Sequence, residues 1–374
     1  MKILISPAPF KDSLSAREAA EALARGFRQS LPRAELIVLP VADGGEGTVE
    51  ALVNAGQGKI MSSRVSDPLG RPVMARWGLI EGGATAVVEM SAASGLELLE
   101  PEERNPWHTS TYGTGELIRE ALDLSCRKII VGMGGSATVD GGTGMAMALG
   151  IQFLDENGMP VPRGGQALSL IKTIDTTRLD PRIKDVRIRV ACDVQNPLTG
   201  ENGAAHVYGP QKGADEAMVE RLEEGMIRYA ALLKEASGKD ISAIPGTGAA
   251  GGLAAGLAVF LGATLEKGFD LIGNYLNLEE KIKECDLVAT GEGRVDASSL
   301  HGKAPAGIAG MARKFNKPVL VFAGSLGEGS EHFYEIGVKS LIQVTPPSFA
   351  PEKALAEAAG FLEKAAKEIA TEIS

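Results

Sequence analysis

The chain has 374 residues, of which 47 are glycine, and a formal net charge of −10 at pH 7. A single hydrophobic core rarely extends beyond roughly 250 to 300 residues, so the length predicts two domains. The acidic balance argues against a nucleic-acid-binding protein, because a phosphate backbone requires a basic surface. The cysteines Cys126, Cys192 and Cys285 are widely separated and match neither a disulfide framework nor a zinc motif. We expect a cytoplasmic protein.

Both ends of the chain alternate short apolar runs with amphipathic segments, a pattern typical of βα units. In the first part, strands are predicted at 2–7 and 35–40, and helices at 16–29 and 48–55. In the last part, strands are predicted at 286–290, 318–323 and 340–344, and helices at 304–315, around His332 and from Pro351 onward. The two ends are expected to build one α/β domain with a Rossmann-like or flavodoxin-like parallel sheet.

The middle of the chain contains short strands joined by turns. Strands are predicted at 64–73, 73–80 and 85–90, then a helix at 115–124, strands at 128–131 and 188–193, and a charged helix at 216–235. The spacing of the first three strands favours antiparallel pairs, and hence a mixed sheet. We assign residues 1–62 and 283–374 to a discontinuous parallel domain and 63–282 to an inserted α/β domain. The active site is expected in the cleft between them.

The uncharged segment at 241–265 is long enough to span a bilayer. Its first half consists largely of Pro, Gly, Thr and Ala, which contribute little to membrane insertion, and no Lys/Arg asymmetry flanks it. We expect a glycine-rich turn that opens a buried helix, and no membrane partner.

The most informative stretch is 128–144, KIIVGMGGSATVDGGTG, in which an apolar strand leads into a glycine loop. Such loops offer backbone N–H groups to phosphate. Similar glycine-rich segments recur at 42–48, 112–116, 245–252 and 290–296, and together they indicate a polyphosphate site. Residues 132–137 also match the dinucleotide pattern GxGxxA, with Asp155 about twenty residues beyond, so an NAD-dependent hydroxy-acid dehydrogenase stays open as an alternative. A non-catalytic sugar-acid binding protein is the other alternative.

Several acids and one lysine follow predicted strands or lie on loops, where they can contact a ligand. Asp43, Glu292 and Asp296 are candidate Mg²⁺ ligands; the alternative for Asp43 is a turn with a helix N-cap, and for Glu292 and Asp296 it is a salt-bridged turn. Asp193, at the end of a strand, could deprotonate a hydroxyl or merely form an Asx turn. Lys212 could hold an anion, or it could simply be solvated.

Ten blocks carry a resemblance that runs in order along the chain. They are FKDSLSA (10–16), VADGGEGTVEA (41–51), DPLG (67–70), EMSAASGLEL (89–98), YGTGELI (112–118), GGSATVDGGTGM (134–145), ACDVQNPL (191–198), GPQKGA (209–214), GTGAAGGL (246–253) and TGEGRVDASSLHGK (290–303). Read together, they closely resemble the bacterial glycerate kinase family, one of several unrelated glycerate kinase lineages.

The resemblance implies ATP-dependent phosphorylation of D-glycerate, with Mg²⁺, by a two-domain α/β enzyme. The 2-hydroxyl is the expected acceptor, which gives 2-phosphoglycerate and ADP. The expected partners are these small molecules, and the expected assembly is a monomer or a small homo-oligomer.

Phosphoryl transfer mainly requires positioning and charge neutralisation. These two requirements predict the roles of the site residues. The assigned phosphate-binding residues are Gly134, Gly135, Ser136, Thr138 and Lys212; the catalytic residues are Asp193 as base, with Lys11 and Arg294 as cations; the Mg²⁺ ligands are Glu292 and Asp296, with Asp43 in reserve.

The first block departs from the family pattern. The family usually has Asp-Ser before its Phe-Lys, whereas this chain has Ala8-Pro9 before Phe10-Lys11. A carboxylate at the end of the first strand is therefore missing. Either turnover is slower for that reason, or other acids at the same edge, with Asp43 as the candidate, replace it.

Overall fold

The computed structural model of the protein describes residues 1–300, 302–346, 349 and 351–373. The chain divides into two compact units. The terminal unit comprises Met1–Asp43, Glu50–Ala55 and Lys267–Ser374, and the inserted unit comprises Gly44–Val49 and Gly56–Glu266. His301, in the block at 290–303, lies outside the described residues.

The elements alternate between strands and helices along most of the chain. The strands are β1 (Lys2–Ile5), β2 (Glu35–Val38), β3 (Lys59–Ser66), β4 (Pro72–Ile80), β5 (Thr85–Glu89), β6 (Lys128–Gly132), β7 (Gln152–Leu154), β8 (Thr173–Asp175), β9 (Arg187–Ala191), β10 (Thr264–Glu266), β11 (Leu287–Val295), β12 (Val319–Leu326) and β13 (Val338–Gln343). The helices are α1 (Ala16–Ser30), α2 (Thr48–Ala55), α3 (Ser91–Ser94), α4 (Tyr112–Asp123), α5 (Thr143–Ala148), α6 (Ala204–Tyr208), α7 (Glu216–Ser237), α8 (Leu253–Leu261), α9 (Gly268–Tyr275), α10 (Leu278–Glu284), α11 (Ala304–Lys314), α12 (Pro351–Ala356) and α13 (Ala358–Glu372).

The terminal unit contains a five-stranded sheet in the order β13-β12-β11-β1-β2, and every neighbouring pair is parallel. The prediction of one parallel sheet from both chain ends is confirmed. Helix α1 begins after Ser15, whose hydroxyl accepts the Glu18 N–H while the Glu18 carboxylate accepts the Ser15 N–H, a capping box. On the buried face of α1, the Phe27 ring meets Phe322 of β12 edge to face, with 6.3 Å between centroids.

The inserted unit contains a six-stranded sheet in the order β10-β9-β6-β5-β4-β3. Strands β3, β4 and β5 pair antiparallel, whereas β5, β6, β9 and β10 pair parallel, so the predicted mixed sheet is confirmed. Trp77 of β4 is fully buried and donates its indole N–H to the Ser63 hydroxyl of β3 at 3.0 Å. This bond satisfies the one polar atom of a large buried ring in the antiparallel half.

The predicted strand at 64–73 has the wrong bounds. Strand β3 ends at Ser66 and β4 begins at Pro72. Between them the Asp67 carboxylate accepts the N–H groups of Leu69 and Arg71, each at 2.8 Å. An Asx-type turn therefore reverses the chain at Asp67-Pro68, a turn signal that lies inside the range predicted as strand.

Two glycine-rich segments that were predicted as loops belong to regular elements. Residues 112–116 form the first turns of α4, and residues 290–295 lie within β11. A Cβ on Gly115 would lie 2.7 Å from the Ala148 Cβ of α5, and a Cβ on Gly324 of β12 would lie 2.5 Å from the Gly293 carbonyl oxygen of β11. Glycine at these positions permits close packing of helices and strands.

Both boundaries of the inserted unit lie earlier than the positions near 62 and 283 that we expected. The first differs because β3 begins at Lys59 and pairs with β4 in the mixed sheet. The second differs because α9 and most of α10 lie before residue 283 yet belong to the terminal unit. Phe269 of α9 packs directly against Gly307 of α11, and Leu271 and Ile272 are fully buried.

The uncharged segment at 241–265 forms a turn and a buried helix, as expected. A 3₁₀ turn at Ala249–Gly252 opens α8, in which Leu253, Ala254, Ala255 and Leu257 are fully buried. None of the described helices combines the length and the apolar character needed to cross a membrane.

Gly251 and Gly262 offer a matched test of this packing. Their φ angles are +66° and +64°, but a Cβ on Gly251 would overlap the Thr138 carbonyl oxygen, whereas Gly262 faces open space. Gly262→Ala carries only left-handed strain of about 1 kcal/mol, which lowers Tm by about 2–4 °C. We expect Gly251→Ala to lower Tm at least twice as much in scanning calorimetry. Equal shifts would contradict a tight contact at Gly251.

Candidate functional site

The carboxyl ends of three parallel strands lie in register at one edge of the mixed sheet. Glu89 of β5 pairs with Gly132 of β6, and Gly132 pairs with Ala191 of β9. The glycine loop at 133–142 leaves β6 at this edge, and Asp193 follows two residues after β9 ends. The fold therefore brings the loop and the candidate base to the edge where α/β proteins bind ligands.

The segment at 44–49 packs onto the same edge through backbone contacts. The Gly44 carbonyl oxygen accepts the Met133 N–H at 2.9 Å. A Cβ on Gly134 would lie 2.7 Å from the Gly45 Cα, and a Cβ on Gly44 would lie 2.8 Å from the Ala191 Cβ. Glycine is required at these positions because two chain segments nearly touch.

Lys212 is the buried cation of the inserted unit. Its side chain is 1% exposed, and its Nζ donates to the Ser136 hydroxyl and to the Thr138 carbonyl oxygen, both at 2.7 Å. In the part of the chain that the structure describes, no carboxylate forms an ion pair with it. Burial lowers the pKa of Lys212 to about 7, although the negative charge of Asp140 acts in the opposite direction.

Asp140 anchors the glycine loop from inside the protein. Its fully buried carboxylate accepts the N–H groups of Thr111 at 2.8 Å, Gly142 at 3.0 Å and Gly144 at 3.2 Å, and the Thr111 hydroxyl at 2.9 Å. Burial raises the pKa of Asp140, while these hydrogen bonds favour the carboxylate. Asp140 was not among the predicted site residues; the available signal was an acid among the glycine, serine and threonine residues of the loop.

The remaining predicted phosphate-binding residues lie on the same loop. Gly135 has a φ of +74°, and its carbonyl oxygen accepts the Leu96 N–H at 2.8 Å. Thr138 is fully buried, and its Oγ1 has no hydrogen-bond partner among the described residues. A buried hydroxyl without a partner is costly, and a ligand oxygen could satisfy it. The structure thus brings together Gly134, Gly135, Ser136, Thr138 and Lys212.

In the terminal unit, Glu292 is a buried carboxylate on β11 rather than a loop residue. It is 9% exposed, and its Oε1 has no hydrogen-bond partner among the described residues. Burial is the main cause that raises the pKa of Glu292, and the carboxylates of Asp43 and Asp296 raise it further. Lys303, which was not among the predicted site residues, lowers the pKa of Glu292. Its Nζ lies 3.8 Å from the Glu292 Oε1.

Arg294 and Asp296 form a local pair. The Arg294 Nε donates to the Asp296 Oδ2 at 3.1 Å, and the Asp296 Oδ1 accepts the Ser298 N–H at 2.9 Å. The Arg294 side chain is 70% exposed, so a salt-bridged turn accounts for the pair by itself. The Ser298 hydrogen bonds lower the pKa of Asp296.

Lys11 and Ala8 lie beside β11. Lys11 is exposed, and a Cβ on Gly293 would lie 3.2 Å from its backbone nitrogen. Ala8 is buried and donates its N–H to the Gly291 carbonyl oxygen at 2.8 Å. The first block therefore runs along the strand that carries Glu292.

Within the described ranges, no three or more His, Cys, Asp or Glu side chains are grouped so that they could hold a metal ion. The described residues therefore do not form a metal site in which protein side chains supply all the ligands. Mg²⁺ usually takes one or two carboxylates and completes its shell with water and substrate phosphates. Glu292 with Asp296 or Asp43 fits that donor set.

Comparison with known proteins gives a consistent result. The model of the glycerate kinase family matches residues 3–374. The chain belongs to this family. It is 50% identical over 344 residues to the glycerate 2-kinase of Escherichia coli (strain K12), which covers 92% of this chain and 90% of that protein. It is 47% identical over 368 residues to the glycerate kinase of Halalkalibacterium halodurans, a match that covers 98% of this chain and 97% of that protein.

A solved structure supports the same assignment. A Salmonella typhimurium LT2 protein assigned as glycerate kinase 2 superposes with a TM-score of 0.89 at 45% identity, over 100% of this chain and 98% of that chain. The predictions of a glycerate kinase family member, of an enzyme and of the α/β fold are confirmed.

The dehydrogenase alternative fails on geometry as well as on family. In a dinucleotide fold the helix starts within the glycine motif itself. Here ten residues separate β6 from α5, which begins only at Thr143. Asp155 follows β7, which pairs only with β8 among the described strands and is no neighbour of β6.

Because the Lys212 ammonium group is buried, we expect its binding of anions to depend on pH. A bound anion stabilises charged Lys212, so binding requires that Lys212 be protonated. Because its pKa is lowered to about 7 in the free protein, the affinity falls as pH rises above 7. We expect the Kd for sulfate, whose charge is constant in this range, to rise by roughly tenfold per pH unit between pH 8 and 9 in titration calorimetry.

Lys212→Met should bind sulfate weakly and without this pH dependence. The exposed Lys184→Met is the matched control and should behave like the wild type. If both variants titrated as the wild type does, sulfate would not bind at Lys212.

Proposed function

We propose that the protein transfers the γ-phosphoryl group of ATP to the 2-hydroxyl of D-glycerate, giving 2-phosphoglycerate and ADP. Family membership supports the choice of substrate. The observation that carries the proposal is the buried Lys212 ammonium, held against a glycine-rich loop and without a carboxylate partner among the described residues. A buried cation of this kind is suited to an anionic ligand.

The glycine loop and Lys212 are proposed to hold phosphoryl oxygens. Two of the three Nζ protons of Lys212 go to Ser136 and Thr138, which leaves one for a ligand. The Thr138 hydroxyl offers a second donor, because no group in the described chain pairs with its Oγ1. Gly134 and Gly135 are proposed to contribute loop backbone to the phosphate site, and the space beside the Gly134 Cα is taken by Gly45.

Asp193 is proposed as the general base. Its strand ends beside Gly132, and such a position is suited to a substrate hydroxyl. The 2-hydroxyl oxygen forms a bond to the γ-phosphorus, and the bond from that phosphorus to the β,γ-bridging oxygen breaks. The hydroxyl proton passes to Asp193, and ADP leaves with the bond electrons. Positioning and charge neutralisation supply most of the rate in such a transfer.

Glu292, Asp296 and Asp43 are proposed to hold Mg²⁺. Mg²⁺ neutralises phosphate charge when it is bound. The fit rests on Glu292, because its buried Oε1 has no hydrogen-bond partner among the described residues and its pKa is raised, mainly by burial and further by the carboxylates of Asp43 and Asp296. A cation at this point would relieve that repulsion.

Lys11 and Arg294 are proposed to supply further positive charge to the phosphates. Both side chains are exposed, so each can change rotamer when a ligand arrives. Arg294 would give up its pair with Asp296, which costs little because an exposed ion pair contributes about 0–1 kcal/mol.

The proposal is tested by ³¹P NMR of the protein incubated with ATP, Mg²⁺ and D-glycerate. The expected result is a new phosphomonoester signal that matches 2-phosphoglycerate and grows as ADP accumulates. A signal of 3-phosphoglycerate would retain the kinase activity and move the acceptor to the 3-hydroxyl. A folded protein that forms no product would overturn the proposal.

Replacement of the base should separate catalysis from binding. Asp193→Asn keeps the size of the side chain but cannot accept the proton, so kcat should fall by about two decades or more. KM for D-glycerate should change by much less. The exposed Asp185→Asn, in the same unit, is the control and should keep wild-type kinetics. Near-normal turnover of Asp193→Asn would remove that residue from the role.

A further inference from the structure

Tyr208 and Asn196 form a hydrogen bond between two segments that carry proposed site residues. The Tyr208 hydroxyl donates to the Asn196 Oδ1 at 2.6 Å. Asn196 lies three residues after Asp193, on the loop that leaves β9, and Tyr208 is the last residue of α6. Neither residue is assigned to the site so far.

Asn196 ties its loop to two further segments. Its Nδ2 donates to the Asn202 carbonyl oxygen at 2.9 Å. Its own backbone carbonyl oxygen accepts the N–H groups of Gly246 at 3.2 Å and Gly248 at 3.0 Å. The side-chain nitrogen, the side-chain oxygen and the backbone carbonyl of Asn196 therefore all hold the loop. This leaves the loop few alternative arrangements.

Tyr208 also meets the buried cation. The Lys212 Nζ lies 5.7 Å from the centroid of the Tyr208 ring, within the range of a cation–π contact. The Lys212 N–H donates to the Gly209 carbonyl oxygen at 3.0 Å, so a single tight turn connects the two residues. Burial raises the pKa of Tyr208 to about 12, so its hydroxyl remains a donor at neutral pH.

We propose that Tyr208 is a positioning residue for phosphoryl transfer. Its hydroxyl fixes the Asp193 loop through Asn196, and its ring supports the ammonium of Lys212. This inference rests on the proposed function, because it assumes that Asp193 and Lys212 act in the reaction.

The two contacts of Tyr208 can be removed separately. Tyr208→Phe keeps the ring and deletes the hydroxyl, which leaves the Asn196 Oδ1 without its donor. The Asp193 loop then occupies its productive arrangement less often. One such hydrogen bond corresponds to about a tenfold effect on a rate. Tyr208→Leu deletes the ring as well, and should also weaken the anion site.

The first experiment compares kcat and KM at a temperature well below Tm. Tyr208→Phe should lower kcat about tenfold, with KM for ATP and the Kd for sulfate unchanged. Tyr208→Leu should lower kcat at least as much and also raise the Kd for sulfate several-fold. Tyr334→Phe, at a 53% exposed tyrosine of the terminal unit, is the control and should keep wild-type kinetics. Unchanged kcat in Tyr208→Phe would overturn the inference.

The second experiment is a double-mutant cycle with Asp193→Asn. If the Tyr208 hydroxyl acts through Asp193, adding Tyr208→Phe to Asp193→Asn should change kcat less than twofold. A further tenfold loss would show a general structural effect and would overturn the inference. The wild-type reaction is the reference in each comparison, so failure of the proposed function appears as an inactive wild type, and failure of this inference appears only in the variants.

Discussion

The inserted unit depends on the burial of one ammonium group against a glycine loop. An ammonium without a carboxylate in contact is unfavourable in a protein interior, and the depressed pKa of Lys212 records that cost. The cost is tolerated because Ser136 and the Thr138 carbonyl accept two of its protons. Asp140, anchored by its own donors, keeps the loop in place and adds negative charge nearby. Groups of the protein itself thus hold both the loop and the ammonium group in place.

Close approach of backbone segments is the second constraint. At the carboxyl edge of the mixed sheet, a Cβ on Gly134 would collide with the Gly45 Cα, and a Cβ on Gly44 would collide with Ala191. Similar contacts bring Gly251 against Thr138 and Gly115 against α5. Part of the high glycine content therefore has a physical cause in packing, since these glycines let helices, strands and turns approach without side chains between them.

The two units have complementary electrostatic characters. The inserted unit buries a cation that lacks an ion-pair partner among the described residues, whereas the terminal unit buries the Glu292 carboxylate near Asp43 and Asp296. The first arrangement suits phosphoryl oxygens, and the second suits a divalent cation. The proposed phosphoryl transfer uses both kinds of charge, since it moves a group with several negative charges.

The sequence by itself determined the family, the parallel and mixed sheets, and the glycine loop after β6, because these depend on local periodicity and on long ordered motifs. It could not show that residues 290–295 are a strand, since the glycines there are explained only by the neighbouring strand β12. The predicted site residues also did not include Asp140, Lys303 or Tyr208. Their importance arises from burial and from contacts between residues far apart in the chain, which only the tertiary structure decides.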